Sequence, residues 1–121
     1  MKHCLIVEDS RVIRQVARGI LEGLDFQTVE AEDCIGALKS CRLRMPELIL
    51  LDWNLPNSNG AEFLRTLRRE RDGGQPVVVF CTTENDIAQV NEAMLAGASD
   101  YVLKPYDRDV IREKLTQVGL I

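Results

Sequence analysis

Hydrophobic positions along this chain switch between two periods. Short apolar or β-branched runs recur at His3–Val7, Gln27–Ala31, Glu47–Leu51, Pro76–Cys81 and Tyr101–Leu103. Runs of that length and composition predict strands. Between them, apolar residues fall at helical spacing. They predict helices over about Ser10–Gly23, Cys34–Leu43, Ala61–Arg71, Asp86–Ala96 and Asp107–Val118. In the first helix the apolar stripe is expected at Val12, Ile13, Val16, Ala17, Ile20 and Leu24. Ser10 and Asp33 stand where helix N-caps belong, and Gly97 where a helix stops. The run Glu47–Leu51 does not alternate, so it is expected to be a central strand buried on both faces. Asn54–Gly60 is rich in turn formers.

Strands and helices in strict alternation predict an α/β fold with a parallel sheet covered by helices. The 121 residues suit one such domain, residues 1–121, with enough core to fold without a disulfide or metal staple. In a doubly wound sheet, ligands bind beyond the carboxyl ends of the strands, where neighbouring connections leave on opposite sides. The residues just past the predicted strands are therefore the candidates. They are Glu8 and Asp9 after the first, Asp52 after the third, Thr82 and Thr83 after the fourth, and Lys104 and Pro105 after the fifth.

Three acids brought together repel one another unless a cation lies among them. Three negative charges against Lys104 leave a deficit that one divalent ion would fill. Carboxylate oxygens of this kind suit Mg²⁺. A carboxylate can also act as a nucleophile toward phosphorus. Asp52, at the end of the central strand, is the expected nucleophile, with Glu8 and Asp9 as metal ligands. Lys104 and Thr82 would hold phosphoryl oxygens, because such transfer is mostly positioning and charge stabilisation.

Composition narrows the setting. A formal net charge of -4 argues against nonspecific nucleic-acid binding. No apolar run is long enough to span a membrane, and the first residues form no leader, so a cytoplasmic protein is expected. The four cysteines form no CxxC pair, and His3 is the single histidine. They are expected to be reduced and mostly buried thiols.

The pair Glu8-Asp9, the segment Leu50–Pro56, Thr82, and the segment Ala96–Pro105 together resemble bacterial response-regulator receivers over the whole chain. The resemblance is strongest to stand-alone, CheY-like receivers of the chemotaxis type. It implies a flavodoxin-like (βα)5 fold with strand order 2-1-3-4-5. It implies Asp52 as phosphoacceptor and Mg²⁺ held by Glu8, Asp9, Asp52 and the Asn54 carbonyl. Lys104 would contact the phosphoryl group, Thr82 would be the switch hydroxyl, and Tyr101 the switch aromatic. The Lys104–Pro105 bond is typically cis in the family. Asn54 and Glu84 match the pair that guides water to the acyl phosphate, so fairly rapid self-dephosphorylation is expected. The implied donor is a histidine kinase or phosphotransfer protein. The implied output is a protein target on the fourth helix, fifth strand and fifth helix, including Ile87, Val90, Tyr101 and Lys114. The chain is expected to be monomeric when unphosphorylated and to carry no output domain.

There are departures. Thr83 stands where the family usually has a smaller residue, and is expected to narrow access to Asp52. Asn59-Gly60 replaces Asp-Gly, and Cys34 a common glycine. Arg65, Arg68, Arg69 and Arg71 are expected to form a solvated helix face. Two other classes compete. An aspartate-nucleophile phosphatase would carry a D-x-D pair after the first strand, where Glu8-Asp9-Ser10 stands. A flavin-nucleotide module needs a phosphate loop there, which an acidic pair would repel. Within the receiver class, a phosphate sink or a cell-cycle receiver is the alternative.

Overall fold

The computed structural model describes residues 1–56, 58–83 and 87–121. The strands are β1 (Lys2–Val7), β2 (Phe26–Ala31), β3 (Leu48–Asp52), β4 (Val77–Thr82) and β5 (Asp100–Leu103). The helices are α1 (Arg11–Gly23), α2 (Cys34–Leu43), α3 (Gly60–Arg69), α4 (Ile87–Ala96) and α5 (Arg108–Gln117). The expected start of α4 at Asp86 lies outside the described residues.

All strand pairs are parallel, in the order β2-β1-β3-β4-β5. Alternation along each strand sends side chains to two cores. On one face Leu5, Val7, Ile49, Leu51, Val78 and Phe80 pack under α2, α3 and α4. On the other, Cys4, Ile6, Leu48, Leu50, Val79 and Cys81 pack under α1 and α5. β3 is buried at every position, as a central strand between two helix layers must be.

Two termini differ from expectation in a way that matters. Asp52 and Thr82 are the last residues of their strands, not the first of the loops. Asp52 pairs with Cys81, and the Trp53 amide donates to the Cys81 carbonyl at 2.9 Å. The Asp52 carboxylate is therefore mounted on sheet backbone.

The α1 stripe holds at Ala17, Ile20 and Leu24, which pack against the core, and needs correction at its other three positions. Val12 and Val16 are more than half exposed, and Ile13 is also exposed. The residues that face the sheet are Arg14, Ala17 and Leu21. Spacing alone could not choose between two overlapping apolar stripes. Leu21 packs in the core and fixes the phase. Arg68 also departs from the expected solvated face. Its guanidinium donates to the carbonyls of Gly97, Gly73 and Pro76 at 2.7–3.0 Å. Gly97 has φ +122, and a Cβ there would come within 2.8 Å of the Arg68 side chain. Glycine is thus required both for the turn and for the clamp. Arg65, Arg69 and Arg71 are exposed as expected.

Helix starts follow capping chemistry. Ser10, Asp33, Asn59 and Asp107 each accept a backbone N–H of the first turn. At Gly60 a Cβ would meet the Trp53 ring at 2.6 Å, so the Asn59-Gly60 pair serves ring packing as well as the turn.

Candidate functional site

β1 and β3 lie side by side, and their connections leave to opposite faces of the sheet. Glu8 and Asp9 follow β1, and Asp52 ends β3, so all three reach the crevice between them. One carboxylate oxygen from each lies within 4.8 Å of the others. Glu8 and Asp52 are buried, and Asp9 is exposed.

Lys104 follows β5 and its amide donates to the Thr82 carbonyl at 2.9 Å. That bond delivers its side chain across the sheet end. Nζ donates to Glu8 Oε1 and to Asp52 Oδ1, each at 2.9 Å. Burial alone would lower the Lys104 ammonium, but its bonds to the two carboxylates raise it above the ordinary lysine value. Burial pushes the Glu8 carboxyl up, against the pull of Lys104 and the Ser10 amide. One ammonium shared between two buried acids, with Asp9 beside them, leaves the cluster short of positive charge.

Both hydrogen bonds that Asp52 accepts among the described residues fall on Oδ1, from Lys104 Nζ and from the Asn54 amide at 3.1 Å. Oδ2 accepts none among the described residues. Three hard oxygen donors with this charge deficit fit a small divalent cation such as Mg²⁺.

The other predicted residues fall around this centre. Thr82 is fully buried, and its hydroxyl donates to Gln89 Oε1 at 3.0 Å. Thr83 is exposed at the rim, where the Asn54 side-chain amide donates to its hydroxyl at 3.5 Å. Pro105 is exposed, and the Lys104–Pro105 bond is cis. Tyr101 is half-buried, its ring stacked 5.5 Å from Phe80. Trp53 packs on the same phenylalanine at 5.0 Å. Glu84 lies outside the described residues. Of the expected output face, Ile87 is 77% exposed, Val90 packs against the core, and Lys114 pairs with Asp100 at 3.1 Å.

Sequence reasoning missed Arg14. Its Nη1 donates to the Glu8 and Asp9 carbonyls at 2.8 and 3.0 Å, and Nε donates to Glu30 at 3.0 Å. The signal was its spacing, three and seven residues before Ala17 and Leu21. Gln89 was missed too, since nothing in its type or position marks it.

The fold is a doubly wound parallel domain with a buried aspartate at the end of its central strand, on which two acids and a lysine converge. Residues 4–116 match the response regulator receiver domain, and the chain belongs to that family. It is 37% identical over 105 residues to the phosphate regulon transcriptional regulatory protein PhoB of Klebsiella pneumoniae and to that of Escherichia coli strain K12. These matches take in 87% of this chain and 46% of each relative, so the chain spans about half their length. The chemotaxis response regulator CheY4 of Vibrio cholerae superposes with a TM-score of 0.91 at 26% identity over 98% of both chains. The receiver domain of the sensor histidine kinase PA1611 of Pseudomonas aeruginosa PAO1, with a magnesium ion in its active site cleft, gives 0.86 at 26% identity over 96% and 95%. The flavodoxin-like topology and the receiver class are as the sequence led us to expect. Among the described residues no helix is long and apolar enough to cross a membrane.

Proposed function

We propose that this receiver accepts a phosphoryl group on Asp52 from a phosphohistidine donor, with Mg²⁺ bound, and signals by a change of conformation. The observation that carries the proposal is the cluster itself: three carboxylates within 4.8 Å, two of them bridged by Lys104. Glu8, Asp9 and Asp52 would hold the cation, with the Asn54 carbonyl as a further ligand. When bound, the ion supplies positive charge to the phosphoryl oxygens beside these acids.

Asp52 Oδ2 attacks phosphorus. The new O–P bond forms as the donor's N–P bond breaks, and the electron pair leaves with the imidazole nitrogen, which takes up a solvent proton. Lys104 gives up its contact with Asp52 to hold a phosphoryl oxygen. The donor approaches over an apolar groove of about 380 Å³ lined by Ile13, Val16, Thr83, Lys104, Pro105 and Tyr106. That groove uses the face of α1 that the sheet leaves uncovered. Thr83 stands on its rim, where its size limits access. Among the described residues Asn54 is exposed and held at 3.5 Å by Thr83, so its amide can turn to orient water for fairly rapid self-dephosphorylation, with Glu84 as the proposed second group.

Output through a protein partner on α4, β5 and α5 is supported by exposed Ile87, Leu95, Leu103 and Val110. Four free thiols fit a reducing cytoplasm. Chemotaxis is the favoured context, supported by the likeness to CheY4 over nearly the whole of both chains. Transcriptional control is the second reading, favoured by the higher identity to PhoB.

The test is intact-mass analysis after incubation with acetyl phosphate and Mg²⁺. One added phosphoryl group is expected in the wild type and none in Asp52→Asn or after metal chelation. An unmodified wild type, or an adduct that survives Asp52→Asn, overturns the assignment.

A further inference from the structure

The buried Thr82 hydroxyl donates to the side-chain carbonyl oxygen of Gln89 at 3.0 Å. Thr82 ends β4, and Gln89 lies in the first turn of α4. Phosphoryl transfer to Asp52 makes no use of this bond. It does, however, occupy the proton of a hydroxyl one residue beyond Cys81, the strand partner of Asp52.

A hydroxyl has a single proton to donate. A phosphorylated Asp52 would place three charged acceptor oxygens beside the end of β4. A bond from the hydroxyl to one of them is charge-assisted and stronger than a bond to a neutral amide. The two donations exclude each other. The hydroxyl must leave Gln89 to meet the phosphoryl group, and the net gain is reduced by the bond given up.

We propose that Gln89 is a positioning residue that holds the Thr82 hydroxyl in the resting state and so sets the threshold for switching. The inference rests on Asp52 being the phosphoacceptor. It adds that α4 is tied to β4 through this pair and is untied when the hydroxyl turns. By linkage, a contact made only at rest weakens affinity for the phosphoryl group by the same factor that the group weakens the contact.

Beryllofluoride, with Mg²⁺, serves as the phosphoryl mimic. Its bound form is followed by fluorine NMR in the full chain, in wild type, Gln89→Leu, Thr82→Val and the double variant. Gln89→Leu is expected to bind about two- to tenfold more tightly than wild type, the span of one net hydrogen bond. In the Thr82→Val background the same substitution should change nothing, because the donor is gone. Gln89→Ala repeats the comparison should the leucine disturb folding. Unchanged or weaker binding in Gln89→Leu and Gln89→Ala, or equal tightening in both backgrounds, overturns the role of Gln89 while leaving Asp52 as acceptor. A wild type that binds no beryllofluoride overturns the phosphoacceptor assignment and this inference together.

Discussion

Arg14 shows how one side chain can organise a charged site it does not enter. It sits on the buried face of α1, where an unpaired cation would be costly. It avoids that cost by donating to the carbonyls of Glu8 and Asp9 and by pairing with Glu30. The backbone carrying two of the three acids is thereby fixed to α1. Arg14→Met is expected to weaken Mg²⁺ binding about tenfold or more, the usual cost of losing a group that orients metal ligands. Arg14→Lys should recover only part, because an ammonium lacks the planar fork. Tryptophan emission during Mg²⁺ titration measures the affinity, and the urea midpoint separates it from unfolding. Equal affinity in all three proteins would show that the loop holds itself. At this scale the acids and Lys104 were legible because they fall at strand ends. Arg14 and Gln89 were not, because hydrophobic periodicity gives no weight to a polar residue whose partners, backbone carbonyls and Glu30 for one and the Thr82 hydroxyl for the other, come together only in the fold.

Elements were easier to read than their orientation. Every strand and helix begins and ends within two residues of expectation wherever its terminus is described, since turn formers and caps mark the boundaries. The face of α1 was read too wide because Val12, Ile13 and Val16 fall at helical spacing beside Ala17, Ile20 and Leu24. Only tertiary packing, and the exposed groove left over, distinguishes them. The opposite end of the sheet offers a test of how the elements are pinned. The His3 amide donates to Glu47 Oε2 at 2.6 Å, the Glu47 amide returns a bond to the His3 carbonyl, and Val77 donates to the Glu47 carbonyl. One residue thus joins the starts of β1, β3 and β4. The His3 amide lowers the Glu47 carboxyl below its usual range. A depressed acid contributes stability above its unfolded value of about 4.3, and that contribution is lost as pH falls through the folded value. Glu47→Gln should therefore lower the urea midpoint at pH 7, with the gap to wild type closing in acid. A gap that persists at pH 2 would assign the effect to packing and not to charge.

Across the whole molecule, folding creates the charge problem that the site then uses. Asp52 is far in sequence from the adjacent pair Glu8 and Asp9, and the parallel pairing of β1 with β3 brings oxygens of all three within 4.8 Å. The unfolded chain keeps Asp52 away from that pair and all three acids hydrated. A divalent cation held by the three carboxylates would therefore meet them together only on the folded state, and its binding would raise stability by mass action. At one hundred times its dissociation constant the gain is about 2.7 kcal/mol, enough to move the melting temperature by several degrees in a domain this size. The melting temperature should rise with the logarithm of Mg²⁺ concentration once the site saturates. Asp52→Asn removes one of the three charges, so less repulsion opposes folding in metal-free buffer while less attraction holds the ion. That variant is expected to melt higher than wild type without Mg²⁺ and to gain less when Mg²⁺ is added. Loss of the Lys104 bond to Asp52 acts in the opposite direction on the metal-free protein. The sign of that first difference thus weighs acid–acid repulsion against the ion pair, while the smaller gain on adding Mg²⁺ depends on the cluster alone. A wild type whose melting temperature ignores Mg²⁺ would mean that the three carboxylates do not act as one site.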